Sequence, residues 1–267
     1  MRQPSLFLSH GSPMQAVQPG EAGALWQALG QRLARPDAIV VASAHWETAL
    51  PLVTGSARPE TIHDFGGFPR ELYALRYPAP GDPALAENVV ALLREAGLTA
   101  GIDGVRGLDH GAWVPLRWMY PDASVPVIEV AVQPSRGPAH HVALGRALEP
   151  LRARNVLVVG SGHTTHNLRD YFIERQSAAT SSTASADPAP YAAAFAAWVG
   201  QQLAAHDDDA LTDYRQRAPH ATRAHPTEEH FLPLFVALGA AGPKPRVQLL
   251  LEAFEGRSLA LHSWQFD

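Results

Sequence analysis

Cysteine is absent from this 267-residue chain. Disulfides, thiolate metal sites and cysteine nucleophiles are therefore excluded, and a reducing compartment is compatible with the composition. Long apolar runs are missing too, since none approaches the ~20 residues of a membrane-spanning helix. The opening "MRQPSLFLSHGSP" lacks the apolar core and small-residue cleavage site of a signal peptide. A cytoplasmic protein with no membrane partner is expected. Basic residues are few, 21 Lys and Arg against 26 Asp and Glu, and they form no cluster, which argues against a nucleic-acid partner. The chain has no HExxH, no EF-hand loop, no GxxxxGK[ST], no GxGxxG after a strand and no GxSxG elbow; "GSGH" at 160–163 does not match the last.

What remains is an ordinary globular composition, 46% hydrophobic and 18% charged, long enough to bury a sizeable core. Short runs rich in Val, Ile and Leu at 5–9, 38–43, 125–132 and 155–160 read as buried strands. Between them, 21–34, 83–96 and 138–153 read as helices. The middle one carries Asp82 as cap, Pro83 at its first position and Gly97 as its stop. Strand–helix alternation predicts one α/β domain over 1–267, with a mainly parallel central sheet flanked by helices on both faces. The Ser/Ala/Thr-rich stretch 176–190 reads as a mobile loop, either a surface linker or a lid. Helices are expected at 189–206 and 226–240, and a closing hairpin turns at Glu255-Gly256.

The unusual count is thirteen histidines. In open α/β sheets ligands bind beyond the carboxyl ends of the strands. His10 follows the first strand, His45 the second, and His163 with His166 the strand at 155–160, each beside small residues that leave room for a ligand. His230, in "AHPTEEHFLPLF", falls early in a helix read as starting at Pro226, with His225 and Glu229 as rivals. His110 and His63 lie in glycine-containing loops. His140, His141, His206, His220 and His262 receive no role. Imidazoles without thiolates suit zinc, iron, copper or nickel. The residues alone therefore point to a histidine metal site at the C-terminal edge of the sheet.

"SHGSP" (9–13), "SAHW" (43–46), "HDFGGFP" (63–69), "YPAPGDP" (77–83), "DHGAW" (109–113), "HNL" (166–168) and "PTEEHFLPL" (226–234) occur in this order. Together they resemble the class III extradiol ring-cleaving dioxygenases, in the branch of DOPA 4,5-dioxygenase-like proteins, over nearly the whole chain. The resemblance implies a non-haem Fe(II) enzyme that opens a small catechol with both atoms of O₂. It implies His10, His45 and His230 as metal ligands, and His166 as acid/base and possible fourth ligand. His110 is implied as a helper that binds substrate hydroxyls or oxygen. A histidine as third ligand makes the site friendlier to zinc. His163 and His225 depart from the branch pattern, so His163 can exchange roles with His166, and His225 adds a spare imidazole near His230. Two other readings stay open. One is a zinc hydrolase using a metal-bound water with Glu229 or His166 as base; the other is a non-catalytic metal-binding relative. Arg58, Arg70 and Arg76 are candidates for holding a substrate carboxylate, and Trp113 and Tyr120 for stacking on its ring.

Overall fold

A computed structural model describes residues 2–180 and 187–267. Ten strands occur among them: β1 Ser5–Ser9, β2 Ala38–Glu47, β3 Leu52–Thr54, β4 Gly101–Asp103, β5 Val127–Val132, β6 Val156–Gly162, β7 Val247–Leu251, β8 Phe254–Glu255, β9 Leu259–Ala260 and β10 Ser263–Phe266. Eight form one sheet in the order β4-β3-β5-β2-β6-β1-β10-β7, while β8 and β9 pair separately. The middle of the large sheet, β5-β2-β6-β1, is parallel throughout, and β10 and β7 add an antiparallel margin. β6 is inserted between β1 and β2, so three loops from different parts of the chain meet at one point on the carboxyl edge.

Helices cover both faces, as the alternation predicts. Side chains alternate along each strand. Leu6, Leu8, Ile39, Val41, Val127, Leu157 and Val159 form one face with Trp26 and Leu29 of helix Gly20–Arg32 and with Trp113 and Leu116 of helix His110–Met119. Val40, Ala42, Ile128, Val130 and Val158 form the other with helices Pro83–Glu95, Gly137–Ala153 and Leu232–Ala241. Asp82 caps the Pro83–Glu95 helix by accepting from the Leu85 N–H at 2.9 Å. The closing hairpin turns at Gly256, whose φ of +62° favours glycine. No helix among the described residues is long and apolar enough to cross a membrane.

Four sequence expectations are corrected. β2 runs on to Glu47, so His45 lies within that strand, in a stretch where the register with β5 shifts between Ser43 and Glu47. His110 opens a helix rather than sitting in a loop, because Asp109 accepts from the Ala112 N–H and caps it. The last long helix is Leu232–Ala241, not 226–240. Pro233, not Pro226, occupies its first turn, where a missing N–H is tolerated, and the preceding residues form turns closed by the Glu228 carbonyl. Finally, residues 176–180 of the expected loop belong to helix Leu168–Thr180, and 190 opens helix Pro190–Ala205; 181–186 lie outside the described residues.

Candidate metal centre

The period-two alternation that builds the core also builds the site. On the face toward helix His110–Met119, β1 reads Leu6, Leu8 and then His10; β2 reads Ile39, Val41, Ser43 and His45; β6 reads Leu157, Val159, Ser161 and His163. Each apolar row ends in an imidazole at the carboxyl edge. His110 comes from the start of the helix above them, and His230 from the turn that precedes Leu232–Ala241. Close approach of that turn depends on Gly162: a Cβ there would lie 2.1 Å from the His230 carbonyl oxygen. The His163 N–H donates to the same oxygen at 2.8 Å. Gly111 serves the other side, since a Cβ there would meet Ser43 Oγ at 2.6 Å and His45 Cδ2 at 3.2 Å.

Three nitrogens converge. His45 Nε2 lies 3.1 Å from His10 Nε2 and 3.3 Å from His230 Nε2. The opposite nitrogen of each ring meets an oxygen. His10 Nδ1 is 3.0 Å from Ser161 Oγ, whose own proton goes to the Gly111 carbonyl. His230 Nδ1 is 2.9 Å from Glu229 Oε1, and His45 Nδ1 is 3.3 Å from Asp64 Oδ2. These acceptors assign the proton to Nδ1 and leave the three Nε2 lone pairs facing one another. Burial first, then the neighbouring imidazoles, hold His10 and His230 well below the ordinary histidine value; in His45 burial and His110 outweigh the opposing pull of Asp64. Unprotonated, buried lone pairs so close repel unless a cation lies among them. Metal–imidazole bonds of about 2.0–2.1 Å set adjacent nitrogens about 3 Å apart, so the spacing fits a metal ion.

Further imidazoles border this centre. His110 Nδ1 and N–H both bind the Asp64 carboxylate, at 2.9 Å each. Burial alone would raise the Asp64 carboxyl, but that hydrogen bond and the neighbouring His110 and His45 draw it down to about 2. His166 stacks on His230 with ring centres 3.4 Å apart and stands 4.0 Å from Glu229 Oε1. Burial, then His163, hold it well below its usual value. The ligand atoms of His10, His45 and His110 lie within 4.8 Å of one another, as do those of His166, Glu229 and His230. The trio inferred from sequence spans these two groups, joined by the His45–His230 contact.

The remaining candidates fall out differently. His163 is buried 4.8 Å from the His10 ring and 5.2 Å from the His166 ring, and its Nδ1 has no hydrogen-bond partner among the described residues. His225 directs Nε2 to the Thr164 carbonyl at 2.8 Å and stacks on Phe231, so it is a core residue. His63 binds the Leu75 carbonyl at 3.0 Å. Glu229, weighed as a rival ligand, meets His230 Nδ1 at 2.9 Å and lies in the same group as His166 and His230. Trp113 and Tyr120 pack in the core, with Trp113 Nε1 donating to the Ile62 carbonyl. Arg58, Arg70 and Arg76 are exposed, and Arg76 binds the Tyr73 and Leu75 carbonyls. Sequence reasoning gave no role to Asp64, inside "HDFGGFP", and took Ser161 only as a small neighbour of His163, because their roles depend on which imidazole they meet. A cavity of about 450 Å³ lies elsewhere, between helix Pro190–Ala205 and β7; of the histidines it holds only His262.

The family described as catalytic LigB subunit of aromatic ring-opening dioxygenase matches residues 4–258. The 4,5-DOPA dioxygenase extradiol of Beta vulgaris is 39% identical over 98% of this chain and 96% of its own length. The protein of that name from Escherichia coli K12 is 40% identical over 99% and 94%. A crystal structure of an uncharacterized Escherichia coli K12 protein superposes with a TM-score of 0.80 at 34% identity, covering all of both chains. The chain belongs to the LigB family and is an aromatic ring-opening dioxygenase. Within that family it falls in the extradiol, DOPA 4,5-dioxygenase-like branch. Ring opening thus prevails over the hydrolytic and non-catalytic readings.

Proposed function

We propose that the protein opens the ring of a small catechol, DOPA-like or protocatechuate-like, on a ferrous ion held by His10, His45 and His230. The observation that carries this reading is the convergence of His45 Nε2 on the Nε2 atoms of His10 and His230, with an oxygen behind every Nδ1. The same imidazoles also suit zinc, which competes well for histidine sites. A bound ion would supply Lewis acidity for catecholate binding and an open position for O₂.

The chain's own groups supply the proton handling. His166, kept neutral by burial, accepts a proton from a catechol hydroxyl and returns it as the ring opens; its position beside His230 also supports the role of a fourth ligand when substrate is absent. His110 has its Nδ1–H anchored on Asp64, which leaves Nε2 to meet a substrate hydroxyl or oxygen. The resemblance of Glu229 to Asp64 in use, a carboxylate behind an imidazole, supports the same division of labour on both sides of the centre. The names of the relatives support a DOPA-like substrate.

The test is oxygen uptake by metal-stripped protein reloaded anaerobically with Fe(II), offered DOPA, protocatechuate and plain catechols. Uptake matched by a yellow ring-opened product is expected, fastest with one of these diols. No uptake with any of them, despite confirmed iron at the site, would overturn the assignment of substrate class and metal.

A further inference from the structure

Behind the histidines lies a buried ionic group that the mechanism does not use. Asp109 and Glu129 are both fully buried. Glu129 projects from the middle of β5 onto the same face as Val127, among Ile39, Val41 and the helix His110–Met119. Carboxyl groups in such apolar surroundings are costly unless partnered, and the partners here all lead toward the site. The Asp109 N–H donates to Glu129 Oε1 at 2.8 Å. Arg106 Nη2 donates to Asp109 Oδ2 at 3.0 Å, and its Nε stands 3.8 Å from Glu129 Oε2. Burial, then the neighbouring Asp109 charge, push the Glu129 carboxyl well above the ordinary carboxylate range, and its Oε2 has no hydrogen-bond partner among the described residues.

From this group, links run to both sides of the centre. Ser43 Oγ donates to Asp109 Oδ1 at 2.6 Å and accepts from the His45 N–H at 3.2 Å. Arg106 Nη2 donates to the His45 carbonyl at 3.2 Å, and its guanidinium lies 4.8 Å from the centre of the Trp46 ring. The His45 backbone is thus gripped at both N–H and carbonyl, in the stretch where β2 loses its regular register with β5. Asp109 also caps the helix that begins with His110.

We propose that Glu129, with Asp109 and Arg106, is a positioning unit that locks the His45 backbone and the His110 helix start from behind, and so sets the geometry of the metal centre. This rests on reading His45 as a ligand. Cobalt(II) is the probe, its affinity measured by chelator competition and its ligand geometry by the visible absorption bands. Glu129→Gln preserves the shape and the oxygen that accepts from the Asp109 N–H, and should keep the wild-type cobalt spectrum, with affinity within about twofold. Glu129→Leu should weaken cobalt binding by about 10- to 100-fold, the range for groups that support ligands from outside, and alter the bands. Should that variant not fold, Ser43→Ala cuts only the link from Asp109 to the His45 N–H, and should weaken cobalt about tenfold.

A folded Glu129→Leu or Ser43→Ala protein with wild-type affinity and spectrum would overturn the proposal. So would a lowered melting temperature with an unchanged spectrum, since that is a purely structural role. Damage by Glu129→Gln as severe as by Glu129→Leu would also overturn it. His45→Ala in the same titration separates the two readings: it should abolish cobalt binding at the site, and if it does not, the ligand assignment fails whatever Glu129 does.

Discussion

An imidazole has two nitrogens, and the group that meets one determines what the other can do. Ser161, Glu229 and Asp64 each face an Nδ1, and by doing so leave the Nε2 atoms of His10 and His230 free to meet that of His45. His10→Ala and His45→Ala are each expected to lose stoichiometric metal, read by metal analysis after dialysis; full occupancy in either would sink the ligand assignment. His166 has a different position, stacked on His230 rather than opposed to it. His166→Ala should therefore retain metal while turnover falls by about 10²- to 10⁴-fold, the usual contribution of a positioned acid/base. Comparable metal loss in all three variants would remove the distinction between ligand and base.

At the level of elements, the centre depends on how closely β6 and the turn carrying His230 can approach. Gly162→Ala would place a methyl group 2.1 Å from the His230 carbonyl oxygen. Such overpacking typically costs about 1–3 kcal/mol, and here the displaced residue is itself a proposed ligand. Loss of metal affinity together with a lower urea midpoint is expected; unchanged affinity would show that the turn can shift without moving the imidazole. Asp82→Ala offers the contrast. It removes the cap on the Pro83–Glu95 helix, which packs on the opposite face of the sheet. A loss of about 1 kcal/mol with metal binding intact is expected from denaturation and metal titration.

For the whole molecule, buried neutral histidines tie stability to pH. Burial holds His141 and His163 down to about 4, and His225 to about 3, against an ordinary value of 6.5. In the unfolded chain these rings take up protons as the pH falls past 6.5, while the folded chain resists until near 4 or below. The metal-free protein is therefore expected to keep full stability above pH 6.5 and to lose it progressively down to about pH 4. Each additional proton bound by the unfolded state contributes a slope of about 1.4 kcal/mol per pH unit. Asp64, drawn down to about 2, removes stability only below its unfolded value of 3.8. Urea midpoints measured from pH 8 to 4 check this, and a flat profile through that window would contradict the burial of these rings as neutral groups.

Much of this was legible in the chain itself. Runs such as "LFLS" and "NVLVVG" announce buried strands, "GDPALAENVVALLREAG" carries its own cap and stop, and the histidines after them mark the carboxyl edge. Those signals are local, because strand alternation, capping and the start of a helix involve residues a few positions apart. Where two local signals competed, as between Pro226 and Pro233 or between loop and capped helix at His110, neighbouring turns decided, and the sequence reading chose wrongly. The chemistry of the centre is not local. His110 meets Asp64 across 46 positions and His230 meets His45 across 185. The sequence by itself determined the α/β layering and the supply of imidazoles at strand ends. Only the tertiary structure decided that Glu229 stands behind His230, that His225 belongs to the core, and that Asp109 and Glu129 stand behind His45, because hydrogen bonds depend on proximity in space and periodicity carries no record of which distant residue will be opposite.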